Sequence, residues 1–357
     1  MRILQIRQIT ISNARGRTHM QHKTRFAFLA KSVGYVVLLS LFLAASLSFA
    51  AARPSQDSQQ ATYSSPDDAL QALVSAAKEK DRSALSKLFG SDYDQLLSGD
   101  PVEDDKDLSD FAAAVEESAK LQKDNDTKYT VVVGNNNWPT PIPIVQKDGK
   151  WMFDTKAGLN EVVNRRIGEN ELSAIETCRA YAVAQWEYYT EADWDHDSVA
   201  EYAQKFISTP GKHDGLFWET AENEKPSPLG KLVAQARAEG YGPKRQATAD
   251  TAKADASGEA ATRQHQPYHG YHFKILTSQG SHAPGGKYAY IINGNMIAGY
   301  ALVAYPDSWG KSGVMTFIIN QQGRVYEKNL GANTAKIATA MTSYDPDPSW
   351  KFAPNEP

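Results

Sequence analysis

The stretch Gly270-Tyr271-His272-Phe273-Lys274-Ile275-Leu276 opens the part of the chain that decides the fold. Apolar and aromatic side chains alternate in it with polar ones, which is typical of a half-buried strand. Further β-rich runs follow at 288–292, 296–305, 314–319 and 324–326. Turn signals separate them, among them Asn293-Gly294. Short strands at this spacing predict an antiparallel β-meander over residues 266–343, closed by a short helix near 334–342.

Helical patterns come first in the N-terminal half of the chain. Ser65-Pro66-Asp67-Asp68 has the residues of a helix start, and apolar residues then recur at helical spacing, so a helix is predicted over about 66–80. A shorter helix around Leu85 and another over 108–123 follow. Short β-branched runs come next, and Lys147-Asp148-Gly149-Lys150 has the residues of a hairpin turn. The order predicts an α+β fold with N-terminal helices and a small antiparallel sheet.

The middle of the chain predicts mainly helix. Residues 157–190 keep a helical stripe that Gly168 is expected to break, and a helix is predicted over about 228–239. The division predicted is a signal peptide (1–50), a flexible segment (51–64), an N-terminal α+β domain (65–156), a central helical segment (157–240), a low-complexity linker or loop (241–265), a C-terminal antiparallel sheet (266–343) and a loose, Pro-rich tail (344–357).

The N-terminus has the pattern of a secretory signal. Residues 1–50 hold seven basic residues and no acidic ones, and an apolar run from Val33 to Phe49 ends in small residues. Cleavage is expected near Ala50–Ala52, which predicts a periplasmic or secreted location. A retained membrane anchor is the alternative, and translation could start at Met1 or at Met20.

Charge excludes some partners. Removing the seven basic residues of the leader from the 38 in the chain leaves 31 against 42 acidic residues, a net charge of −11. An acidic body repels phosphate backbones and anionic membrane surfaces. We therefore expect that the protein does not bind nucleic acid and does not insert stably into a membrane after cleavage. Its expected partner is a ligand or a protein of the cell envelope.

Motif searches predict no cofactor, no metal and no catalytic residue. Ser308-Trp309-Gly310-Lys311 matches an S-x-x-K pattern, but a turn between two strands would not aim the lysine at the serine. Cys178 lies on an apolar helical stripe, where it is expected to be buried and inert. His269 and His272 have a spacing that places side chains on opposite faces of a strand. The acidic run from Asp100 to Asp110 is expected to form a solvated loop and helix start.

Two groups of residues are candidates for binding. Arg166 and Asn170 are four residues apart on a predicted helix, beside Glu171, and could line a pocket. Aromatic residues of the meander and of the segment before it could form a contact surface, although core packing also explains them. They are Trp218, Tyr271, Tyr300 and Tyr326.

A family resemblance rests on several motifs. Arg165-Arg166-Ile167-Gly168-Glu169-Asn170-Glu171-Leu172, the run from Ala301 to Phe317, and Val325-Tyr326 are similar to a bacterial family of exported proteins known only as a domain of unknown function (domain of unknown function 2950). The resemblance covers about residues 61–343 and implies export but no activity. The C-terminal sheet also resembles the globular domains of type IV pilin-like proteins.

The sequence thus favours an exported, soluble protein that binds or scaffolds without catalysing. One alternative is a cell-envelope hydrolase with dispersed catalytic residues, for which His196 and Glu171 are the first to test. Another is a component of a pilus-like or secretion assembly, which would keep its apolar N-terminal helix.

Overall fold

The computed structural model describes residues 60–191, 199–221, 223–241 and 266–354. The predicted signal peptide, most of the segment 51–64 and nearly all of the predicted linker lie outside these ranges, as does His196. The described residues form an α+β fold, as the sequence predicts. None of the helices in these ranges is long and apolar enough to cross a membrane.

Capping residues define the N-terminal helices. Helix α1 (Pro66–Lys78) starts where the Ser65 hydroxyl accepts a hydrogen bond from the Asp68 amide at 3.1 Å. Helix α2 (Arg82–Phe89) is capped in the same way by the Asp81 carboxylate. A short helix α3 (Tyr93–Leu96) follows. The helix start expected at Ser65 is confirmed.

The next helix differs from the prediction at both ends. Helix α4 (Pro101–Glu117) begins seven residues earlier than expected, because Asp100 caps it and Pro101 suits its first position. It ends at Glu117, and Leu121 of the predicted helix lies on a strand instead. The expectation of a solvated acidic loop is wrong for Asp100 and Glu103, which are both buried.

A small antiparallel sheet packs on these helices. Its strands are β1 (Ala119–Asn125), β2 (Lys128–Val133), β3 (Trp138–Pro139), β4 (Ile144–Lys147) and β5 (Lys150–Phe153). They are ordered β1-β2-β4-β5, and β3 pairs with β2. The predicted hairpin turn between β4 and β5 is confirmed, with positive φ at both Asp148 and Gly149.

Apolar side chains from helices and sheet form what we call the N-terminal core. Its buried members are Ala69, Leu70, Leu73, Ala76, Ala77, Leu85, Leu88, Val115, Val131, Val133, Ile142, Ile144, Trp151 and Phe153. All of them come from a single stretch of consecutive elements, so nearby segments of chain build this core.

Helix α5 (Thr155–Thr190) is continuous over 36 residues. The break expected at Gly168 is absent, and outside the helix backbone no atom of the described residues lies within 4 Å of the position that a Cβ would occupy there. Gly158 is different, because a Cβ at that position would lie 2.6 Å from the Pro141 carbonyl oxygen. The start of α5 therefore packs directly on the chain leading into β4. Helix α6 (Gly230–Glu239) follows later.

A second antiparallel sheet dominates the C-terminal region. The strands here are β6 (Tyr271–Leu276), β7 (Ser278–Gln279), β8 (Tyr288–Ala289), β9 (Ile291–Ile292), β10 (Asn295–Met296), β11 (Ala301–Pro306), β12 (Thr316–Asn320), β13 (Tyr326–Lys328), β14 (Ser343–Tyr344) and β15 (Lys351–Phe352). The five-stranded sheet has the order β15-β13-β12-β11-β6. Helix α7 (Thr334–Ala340) lies near the predicted position.

The C-terminal sheet departs from a plain meander in two ways. Strands β7 to β10 leave it, forming a three-stranded sheet in which β14 pairs with β7 in parallel, and a hairpin at Asn293-Gly294. The predicted loose tail also joins it, since β15 pairs with β13. Trp350 and Ala353 are buried, so apolar burial holds this part of the tail against the rest of the structure.

The core beneath this sheet, which we call the C-terminal core, is rich in tyrosine. Its largest fully buried side chains are Tyr181, Leu216, Tyr271, Leu276, Tyr290, Met296, Leu302, Phe317, Ile318 and Tyr344. The second half of α5 supplies Tyr181 and its neighbours, and the strands and the segments between elements supply the rest. Helix α5 thus belongs to the C-terminal core at one end and packs on the N-terminal elements at the other.

Candidate functional site

Arg166 is a buried cation that holds the chain between α3 and α4. Arg166 is 6% exposed. Its Nη1 donates to the Leu97 carbonyl at 3.2 Å, and its Nη2 donates to the Leu96 carbonyl. The Nε has no hydrogen-bond partner. A buried guanidinium that binds two carbonyls and, among the described residues, no carboxylate is unusual, because charged groups lose strong hydration on burial.

Asn170 and Glu171 connect α5 to the loop before β12. The Asn170 amide nitrogen donates to the Ser312 carbonyl at 3.0 Å. One carboxylate oxygen of Glu171 accepts from the amides of Val314 and Met315, each at 2.9 Å. Space here is tight, because a Cβ on Gly270 would lie 2.7 Å from Nδ2 of Asn170. The three predicted residues of α5 thus lie along one stretch of helix and bind backbone on both sides of it.

Asp100 and Tyr241 extend this network toward α6. Asp100 is 3% exposed, and while one of its oxygens caps α4, the other accepts from the Tyr241 hydroxyl at 3.0 Å. That hydroxyl in turn accepts from the His269 amide at 3.3 Å. Burial, and after it the Asp100 charge, raise the pKa of Tyr241. The phenol therefore stays neutral and acts as a donor.

Glu103 is the least satisfied group nearby. It is 7% exposed, and its Oε2 has no hydrogen-bond partner. Burial raises the pKa of its carboxyl to about 7, and the charges of Asp107 and Asp100 act in the same direction, while Arg166 opposes them. We call the set Asp100, Glu103, Arg166, Asn170, Glu171 and Tyr241 the polar junction.

A hydrogen-bonded pair of side chains, His269 and Glu239, borders the polar junction. His269 Nε2 lies 3.1 Å from Oε2 of Glu239, and the Tyr268 hydroxyl donates to the same oxygen at 3.4 Å. The His269 ring also packs edge-on against Tyr241, with 5.3 Å between ring centroids. His269 has a φ of 45°, which is uncommon for a residue other than glycine. The surrounding contacts hold the backbone in this conformation.

The four aromatic residues predicted as a contact surface differ in their exposure. Tyr271 and Tyr300 are 1% and 4% exposed, and their hydroxyls donate to the carbonyls of Met315 and Ala182. Tyr326 is half-buried against Phe352. Trp218 is half-buried and stacks on His213 with 4.3 Å between centroids. Core packing explains the first two, because a tyrosine ring buries a large apolar area when its hydroxyl finds an acceptor.

The remaining motifs have structural roles. Cys178 is fully buried, and burial raises the pKa of its thiol, so it is inert as expected. His272 pairs with Asp307 at 2.8 Å, whereas His269 binds Glu239, so the two histidines are separated. Across the described ranges, no three His, Cys, Asp or Glu side chains gather as metal ligands would.

Sequence reasoning missed Glu103 and Tyr241. The Asp100-Pro101 start of α4 was a readable signal that Glu103 lies in a first helical turn. Nothing local marks Tyr241, whose partner Asp100 is 141 positions away. The site therefore depends on contacts that the fold creates.

Fold and site together define an α+β protein whose polar side chains tie distant segments around one long helix. The chain belongs to the family described as protein of unknown function DUF2950, whose model matches residues 60–353. The family expected from the sequence motifs is confirmed. No curated protein and no solved structure matches the chain. The likeness to pilin-like domains stays a prediction.

Proposed function

We propose that the protein is exported to the periplasm, loses its signal peptide near Ala50–Ala52, and acts there by binding or scaffolding rather than by catalysis. The basic leader and its apolar run support the export. The net charge of the chain after the leader supports a protein or small ligand as partner, rather than nucleic acid.

The state of Glu171 carries the non-catalytic part of this proposal. Glu171 is a residue that a hydrolase would be tested for first, and one of its carboxylate oxygens accepts two backbone amides. These bonds fix the carboxylate against the chain, whereas a general base must reach the proton that it removes from substrate. Arg166 and Asn170 likewise direct their donors at backbone carbonyls. These groups hold the fold together, which favours a role that needs a rigid body.

Apolar side chains on the outer face of α5 support a binding role. Val183 and Trp186 lie about one turn apart, and each is 64% exposed. Tryptophan is rarely this exposed in a protein without contact partners, and aromatic residues are enriched where proteins meet. We assign this face to contact with another protein of the envelope.

Export is tested on the full-length protein with a C-terminal tag. We expect the protein in the periplasmic fraction, with an N-terminus near Ala51 or Arg53 by mass spectrometry. The double variant Leu41→Arg, Leu43→Arg breaks the apolar run and should leave the protein uncleaved in the cytoplasm. Recovery of the wild-type protein with residues 1–50 attached would contradict the proposal.

Binding is tested by a photo-reactive amino acid at position 186. Cross-linking in intact cells should yield a discrete adduct that mass spectrometry resolves into this chain and one protein. Asn164, an exposed polar residue on the same helix, is the matched control position and should give none. Equal adducts at both positions, or none at either, would contradict a contact role for this face.

A further inference from the structure

Two buried polar atoms of opposite character face the same junction without partners. Glu103 lies in the first turn of α4 and leaves Oε2 unpaired, and Arg166 lies in α5 and leaves Nε unpaired. Both residues are more than nine-tenths buried. Unpaired buried polar atoms are rare, because each loses its hydrogen bonds to water on folding. The pair therefore needs an explanation beyond packing.

Charged groups and one neutral phenol lie near Glu103. Its own helix contributes the carboxylates of Asp100, Asp104 and Asp107, and α5 contributes the Arg166 guanidinium. The chain after α6 contributes the phenol of Tyr241. No carboxylate in the described part of the chain lies within 4.0 Å of Arg166, so this cation attracts Glu103 without neutralising it in a close ion pair.

The protonation state of Glu103 decides whether the junction tolerates burial. A neutral carboxyl group is accommodated, because its burial has a modest cost and it adds no charge to the acidic neighbours. An ionised carboxylate would be a buried anion among other anions, with an orphan oxygen. The first turn of α4 would then gain by moving Glu103 toward water.

We propose that Glu103 forms a proton-operated latch: neutral Glu103 keeps the first turn of α4 buried at the polar junction, and ionised Glu103 releases it. The latch would hold the first turn of α4 at the junction more firmly in acid than in alkali. It concerns the described fold alone and stands or falls independently of export or of any partner.

The direction of the pH effect follows from the pKa. The carboxyl titrates near 4.5 when unperturbed and near 7 in the folded protein. Because the folded-state pKa is the higher one, the native state binds this proton more tightly than the unfolded chain does. The stabilisation is fully present below the lower value and disappears as the pH rises through the higher one.

The test compares the full-length protein with the variants Glu103→Gln and Glu116→Gln. Glutamine mimics neutral Glu103, and Glu116 is an exposed residue of the same helix. At about pH 8 the Glu103→Gln variant should fold with an equilibrium constant about a hundredfold above that of wild type, by urea unfolding. The gap should close toward about pH 5, while Glu116→Gln follows wild type throughout. A gap that does not change with pH would overturn the latch.

Two measurements on the wild-type protein do not depend on the variant folding. Carbon-13 NMR of the Glu103 carboxyl should give a titration midpoint near neutrality, and a midpoint near that of an ordinary glutamate would overturn the proposal. Hydrogen exchange, corrected for its intrinsic pH dependence, should accelerate in the first turn of α4 above that midpoint but not in α1. Acceleration of both helices alike would indicate global unfolding and also overturn it.

Discussion

The N-terminal core and the C-terminal core bury side chains of different chemistry. The most deeply buried members of the N-terminal core, such as Leu73, Ile144 and Phe153, are apolar throughout. The C-terminal core instead buries tyrosines, among them Tyr181 and Tyr271. An apolar core is stabilised mainly by the area it removes from water, whereas a buried hydroxyl also requires an acceptor in one place.

The tyrosine hydroxyls make the C-terminal core the more strictly specified of the two. Tyr271 donates to Met315 at 2.8 Å, Tyr290 donates to Gln279 at 3.2 Å, and Tyr300 donates to Ala182 at 3.2 Å. Two of these bonds join segments 44 and 118 positions apart. We therefore expect this core to be sensitive to loss of single polar atoms, and the N-terminal core to be sensitive mainly to loss of volume.

The largest effect is expected from Tyr271→Ala. It removes a fully buried ring and leaves the Met315 carbonyl without its donor, so the free energy of unfolding should fall by about 5 kcal/mol. Urea unfolding measures the loss. The control Tyr271→Phe keeps the ring and should cost about 1 kcal/mol. If the phenylalanine variant is as stable as wild type, the contrast between the cores does not hold.

Phe153→Ala probes the N-terminal core by the same measurement. Phe153 is 1% exposed and packs edge-on against Phe89 with 5.4 Å between ring centroids. Its loss should cost about 4 kcal/mol, because the rigid surroundings leave a cavity. Phe153→Leu should cost less than about 1.5 kcal/mol, since apolar cores tolerate swaps of similar volume. A leucine variant as unstable as the alanine variant would show that shape, not volume, governs this core.

Glu171→Ala tests the link between α5 and the C-terminal sheet. The variant leaves the amides of Val314 and Met315 without their acceptor, so unfolding should become easier by about 2 kcal/mol. Glu176, an exposed glutamate on the same helix, is the control, and Glu176→Ala should change stability by less than about 0.5 kcal/mol. Equal effects of the two variants would mean that the bonds of Glu171 contribute nothing.

The smallest effect is expected from Asp81→Ala. The carboxylate accepts from the amides of Ser83 and Ala84 at 2.9 and 3.0 Å, and removing this cap should cost about 1 kcal/mol. Asp81→Asn retains an acceptor and should remain close to wild type in thermal and urea unfolding. A full loss in the asparagine variant would indicate that the charge, rather than the hydrogen bonds, stabilises α2.

Sequence motifs predicted the helix starts and hairpin turns whose conformation depends on neighbouring residues alone. Ser65 starts α1 because its hydroxyl lies within reach of the first free amides. Asp148-Gly149 and Asn293-Gly294 form tight hairpins because these residues accept positive φ. Arg166 and Asn170 were found together because a helix brings residues four apart onto one face.

Elements that depend on distant partners escaped prediction. Strand β1 is mostly exposed, and its apolar alternation is limited to Ala119 and Leu121, so its pairing with β2 is what marks it as a strand. Strand β15 forms because β13 offers an edge. The partners of Arg166 and Glu171 lie 69 to 144 positions away, and no spacing rule connects them. The sequence therefore predicted some side chains of the site but not the contacts that they make.

The unbroken length of α5 has a consequence for change by insertion. Gly158 and Arg166 set the rotation of its first half against the N-terminal elements, and Glu171 and Tyr181 set that of its second half against the sheet. One added residue between these halves would turn one against the other by about 100° and shift it by about 1.5 Å. Both sets of contacts could then not form at once. Insertions or deletions between Arg166 and Glu171 are therefore expected to destabilise the fold.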